Sequence, residues 1–209
     1  MVVTGAGLLW FGWFGFNAGS ALTSGGLAAS AFVATNTAGA TGAFTWTVLS
    51  WIHRRPSVLG AATGAVAGLA TMTPAAGFVP PVAGIPIGIG AAVLGYYMML
   101  LRSKWNLDES LDVWAVHGMG GTLGTLSVGI FASAAVNAAS ADGLLYGNAA
   151  LLGKQFLGVA VAWVFAFGAT WVLASIVKAV MGLLVKEEEE EVGLDISQHG
   201  ERAYGGIAR

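Results

Sequence analysis

Apolar residues dominate six long blocks of this chain, and most charged residues fall in the gaps between them or in the tail. The blocks cover about residues 2–20, 27–52, 57–73, 82–101, 111–133 and 148–185. A helix of about twenty residues rises roughly 30 Å, the thickness of a bilayer hydrocarbon core. The pattern therefore predicts an all-α integral membrane protein with six transmembrane helices. Strand-like alternation at roughly ten-residue intervals is missing, which argues against a β-barrel. The last block, at 38 residues, would be about 57 Å long as one helix. It must tilt, kink or project into water, and Lys154 and Lys178 can snorkel to the two interfaces.

The gaps carry an orientation. His53-Arg54-Arg55-Pro56 separates the second and third blocks, and Arg102-Ser103-Lys104 closes the fourth. Two spans apart, both basic loops lie on one side, which the positive-inside rule makes cytoplasmic. Residues 23–26, 74–81 and 134–147 hold almost no charge and belong outside. Six spans then leave both termini in the cytoplasm of a cell membrane. Residues 5–16 resemble a signal-peptide core followed by Ala18, Gly19 and Ser20, but no basic segment precedes them. The expectation is a retained first helix.

Composition sharpens this picture. The 209 residues are 56% hydrophobic and 10% charged, with mean hydropathy +0.74, whereas soluble domains carry about 25% charged residues. From Lys186 onward seven acids face three bases, a net of −4, while residues 1–185 carry a net of +2. A nearly neutral transmembrane domain, 1–185, is expected to be followed by an acidic cytoplasmic tail, 186–209. The absence of cysteine excludes disulfides and thiolate metal sites. No cofactor, no metal and no nucleic-acid partner is expected.

Two constellations can carry chemistry. Trp13, Phe16 and Ser20 fall at i, i+3 and i+7 on one helical stripe. An aromatic face beside a hydroxyl can bind a small cation by cation–π attraction and one accepted hydrogen bond. An interfacial aromatic belt that includes Trp10 and Phe11 is the alternative. The second constellation is DVWAVHGMGGTLGTLSVGIF, residues 112–131, which places His117 at membrane depth. An ionisable group there is expensive unless it faces a cavity or a partner. Gly121 and Gly124, at i+4 and i+7, predict that its imidazole points into a helix bundle. A neutral imidazole offers one donor and one acceptor nitrogen, suited to a proton relay or a small polar solute. A hydrogen bond to a neighbouring backbone is the structural alternative. Asp108, Glu109 and Asp112 begin this block, where acids complement the helix dipole. Asp112, five residues before His117, either caps the helix or helps to hold the site. The glycines 118–124 do not form a phosphate loop, since no strand precedes them and no lysine follows. Gly60, Gly64 and Gly68, Gly84 and Gly88, and Ala91 and Gly95 are small-residue ladders that predict tight helix packing.

Three blocks, WFGWFGFNAGSAL at 10–22, DVWAVHGMGGTLGTLSVGIFA at 112–132 and GLDISQHGERAY at 193–204, resemble the ammonium transporter (Amt/Mep/Rh) family in order. PSVLGAATGAVAGLATMTPAAGFV, from Pro56 to Val79, also looks like the family's central part. The resemblance implies the second inverted five-helix repeat plus the long final helix of an eleven-helix, trimeric fold. It implies a narrow hydrophobic pore in each subunit, lined by Trp13, with Phe16 as an outer gate and Ser20 at an ammonium-recruitment site. His117 resembles one member of a twin-histidine pair, and Asp112 the acid preceding it. The tail resembles a segment that contacts a neighbouring subunit and, in bacteria, a PII-type signalling protein. Transport of ammonium or ammonia, not enzymatic catalysis, is the implied activity. The first five helices of the family have no counterpart here, nor do the partner histidine and second gating phenylalanine. The expectation is a fragment, a half-transporter paired with a complementary N-terminal half, or a non-conducting scaffold.

Overall fold

A computed structural model describes residues 1–53 and 55–202. Arg54 of the first basic loop, and Ala203 and Tyr204 of the tail block, lie outside the described residues. All regular structure among the described residues is helical: α1 Val2–Gly19, α2 Gly26–His53, α3 Val58–Met72, α4 Gly84–Lys104, α5 Met119–Phe131, α6 Ala149–Met181, α7 Glu187–Val192 and α8 Leu194–Ser197. A π-helical turn, Trp114–Gly118, leads into α5. By length and composition, two stretches among the described residues can cross a membrane, Pro81–Lys104 and Ala149–Met181.

The chain falls into two compact units, Met1–Ala160 and Val161–Arg209. The apolar-to-acidic change in the sequence comes later, near residue 185, so α6 runs through the division. In the first unit, α2, α3 and α4 approach so closely that side chains are excluded. A Cβ on Gly68 would run into the Ala38 carbonyl, and one on Gly64 into Trp46. One on Gly88 would come within 2.6 Å of the same Ala38 carbonyl. The glycine ladders thus serve packing, as their spacing predicts. Their contact encloses two apolar clusters, one around Met72, Val79 and Ile87, the other around Trp46, Tyr96 and Val116.

Two elements differ from the sequence expectation. The last helix has 33 residues, not 38, because Gly182 takes a left-handed conformation (φ +85°) that stops it short of Leu183, Leu184 and Val185. In the second unit the segment beyond it is ordered by Ser197 Oγ, which donates to the Gly193 carbonyl at 3.0 Å. The fifth block is also not one continuous α-helix. Its start is the π turn, and Asp112 before it sits at φ +54°.

Candidate functional site

The first helix presents its aromatic rings by ordinary helical geometry, and each finds a different environment. Trp13 is half-buried. Its indole N–H donates to Thr73 Oγ1 at 2.7 Å, and that hydroxyl donates in turn to the Leu69 carbonyl at 2.9 Å. With the N–H committed, the ring plane is set. Phe16, one turn on, meets it edge-on with centroids 6.5 Å apart. Phe16 itself is 64% exposed. Gly5, Leu8, Leu9 and Gly12 extend this face along α1 as an open apolar surface that ends at Trp13 and Phe16.

His117 comes from the π turn that leads into α5. Its imidazole lies parallel to the Trp13 ring, 6.3 Å between centroids and 11° between planes. Residues 104 positions apart in sequence thus share one aromatic stack, consistent with a π-face offered to a cation or polar solute. Contrary to what the glycine spacing predicts, the histidine is not enclosed within the bundle of this chain. It is exposed, and Gly121 beside it faces open space. Of these two glycines, Gly124 packs closely, against the Thr71 carbonyl of α3. His117 and Gly121 thus share one open face, as a spacing of four places them, while the π turn shifts the phase of α5 against the residues before it.

Ser20 is exposed at the end of α1 and its hydroxyl donates to the Phe16 carbonyl at 2.6 Å. That bond uses the hydroxyl's proton and leaves oxygen lone pairs free to accept from a cation's N–H. Asp112 does not cap α5. It forms an ion pair with Arg102, Nε to Oδ1 2.8 Å, out of line for a hydrogen bond. Their side chains are only 18% and 23% exposed. The aromatic-belt alternative divides: Phe11 is 76% exposed, whereas Trp10 packs against the Gly39 face of α2.

Three residues of this region have structural roles at the site that the sequence reading does not assign. Thr73 orients Trp13. Asn17, 6% exposed, donates through Nδ2 to Thr35 Oγ1 at 3.0 Å and ties α1 to α2. Arg102 holds Asp112. Asn17 carried a usable signal, an amide four residues after Trp13 within an apolar helix. Among the described residues no group of three or more His, Cys, Asp or Glu could hold a metal.

The model of the Ammonium Transporter Family matches residues 1–204. The chain belongs to this family of membrane transporters. An ammonium transporter of Bacillus subtilis (strain 168) is 50% identical over 202 residues, covering 96% of this chain and 50% of its own length. Ammonium transporter Amt1 of Archaeoglobus fulgidus is 50% identical over 204 residues, 98% of this chain and 52% of that protein. The crystal structure of Candida albicans Mep2 superimposes with a TM-score of 0.84 at 33% identity, covering 90% of this chain and 43% of that one. A solved sensor Amt protein gives a TM-score of 0.80 at 31% identity, over 94% of this chain and 48% of its own. The chain spans about half the length of the curated relatives it matches.

Proposed function

We propose that this chain supplies the C-terminal share of a pore that moves ammonium or ammonia across a cell membrane. Residues 1–185 form its six membrane spans, five of them one inverted repeat and the sixth the long final helix, with both termini cytoplasmic. The observation that carries the reading is the parallel stack of His117 on Trp13 beside the open apolar face that ends at Phe16. Ammonium is received at the aromatic mouth by Phe16, Trp13 and the Ser20 hydroxyl. Carrying the intact cation through an apolar passage would cost many times thermal energy in lost hydration. The cation therefore gives up a proton, neutral ammonia crosses, and His117 assists the proton. Potassium has no proton to surrender and is rejected.

The open face around His117 and Gly121 supports pairing with further helices, since a single inverted-repeat half does not line a whole pathway. A homotrimer or a complementary N-terminal half provides them. The acidic tail, 186–209, is the docking segment for a neighbouring subunit or a PII-type signalling protein.

Methylammonium uptake into proteoliposomes tests the reading, with the chain alone and with a co-expressed N-terminal half of a relative. Uptake in the paired preparation, abolished by His117→Ala and reduced at least tenfold by Phe16→Ala, is expected. No uptake in either preparation would refute the pathway and leave a scaffolding membrane protein.

A further inference from the structure

The loop between α4 and the π turn is drawn back onto α4 by one side chain. Arg102, in the last turn of α4, donates from one terminal nitrogen to the Glu109 carbonyl at 2.6 Å and the Leu107 carbonyl at 3.3 Å. Its Nε faces the Asp112 carboxylate at 2.8 Å. Glu109 is thereby held where its own carboxylate accepts the Trp114 N–H at 2.6 Å, satisfying one of the donors that a helix start leaves orphaned. The Asp112 carbonyl accepts the Val116 N–H at 2.9 Å. A left-handed conformation at a non-glycine residue, as at Asp112, persists only where the surroundings over-determine it. Inside these tethers, Ala115 and Val116 are buried at 1% and 4% exposure, and Val116 joins the Trp46 cluster. His117 follows immediately, on the exposed side.

The π turn is therefore gripped by polar bonds at its start and by apolar packing along its inner face. It closes with the Met119 N–H donating to the Trp114 carbonyl. Relaxation to ordinary α pairing would remove one residue from the turn. That change would rotate the segment by about 100° per residue of slip and swing the imidazole off Trp13.

We propose that Arg102 and Glu109 are positioning residues for His117: with Asp112, they hold the π turn in the phase that lays the imidazole against Trp13. The inference rests on His117 belonging to the solute pathway and adds the device that aims it. It distinguishes the Glu109 carboxylate, which needs only an accepting oxygen for the Trp114 N–H, from a charge retained for surface solubility. A glutamine keeps that acceptor and an alanine removes it.

Histidine ring resonances of the full chain in lipid nanodiscs provide the test. The chain has three histidines, and the His117 signal is the one lost in His117→Gln. Glu109→Ala should displace the His117 ring signals by more than their line width, through loss of the Trp13 ring current. Glu109→Gln should leave them in place, with His53 and His199 unmoved in both. Arg102→Lys, which keeps the charge but not the planar fork, should displace His117 as Glu109→Ala does. An unmoved His117 in Glu109→Ala, or a Gln variant that moves it as far as Ala, overturns the proposal. So does joint displacement of all three histidines. Transport is not read here, so absent uptake in both the single and the paired preparation would refute the pathway while leaving this result intact.

Discussion

Two regions of the same unit are built on opposite rules. Between α2, α3 and α4, glycine and alanine remove side chains so that backbones touch, and nothing polar is needed at the crossing. Along α1 and the π turn, large rings are held apart by named hydrogen bonds, and one side of the stack stays open. The first region is stabilised by contact that tolerates no added atom. The second is stabilised by orientation, and added atoms there meet empty space. Glycine occurs in both, with opposite meaning: Gly68 is small because a backbone is against it, whereas a Cβ on Gly121 would meet nothing within 4 Å.

The comparison breaks most readily at the crossing. Gly68→Leu should destabilise the folded chain by about 3 kcal/mol or more, since the obstructing atom is an Ala38 backbone carbonyl. Loss of the folded population in a detergent-melting or denaturant series would report it. Arg102→Met should cost about 2–3 kcal/mol, because it leaves the mostly buried Asp112 carboxylate without its cation. An Arg102→Met, Asp112→Leu double variant should recover much of that loss in the same series.

Within α5 a matched pair sharpens the contrast. Gly124→Ala should lower stability by about 1–3 kcal/mol, because the methyl would enter the Thr71 carbonyl. Gly121→Ala, three residues away and in open space, should raise it by about 0.5–1 kcal/mol through helix propensity. Equal effects of the two would remove the distinction drawn here. A loss of about 1 kcal/mol is expected for Thr73→Val, which leaves the Trp13 N–H without its acceptor. Its larger consequence should be in uptake, as the indole loses its fixed plane.

Much of this was legible in the amino-acid order. A hydrophobic run declares a helix whatever surrounds it, because backbone groups in an apolar medium must bond within the segment. The small-residue ladders likewise declared their packing, since a spacing of four puts glycines on one face. Trp13, Phe16, Ser20 and His117 were each identifiable as a stripe or as an ionisable residue out of place.

What no local pattern contained is the relation between distant parts. That Trp13 and His117 form one stack depends on two helices meeting, and that Thr73 sets the plane of Trp13 depends on a third. The π turn escaped because periodicity presumes 3.6 residues per turn. A one-residue departure is set by tethers such as Glu109 on Trp114 and Arg102 on Asp112, which are tertiary. The sequence by itself determined which segments are helical, which faces are smooth and which side chains can do chemistry, because those are properties of short stretches. Only the tertiary structure decided which rings face each other and which side of them stays open, because those depend on the angular phase between elements.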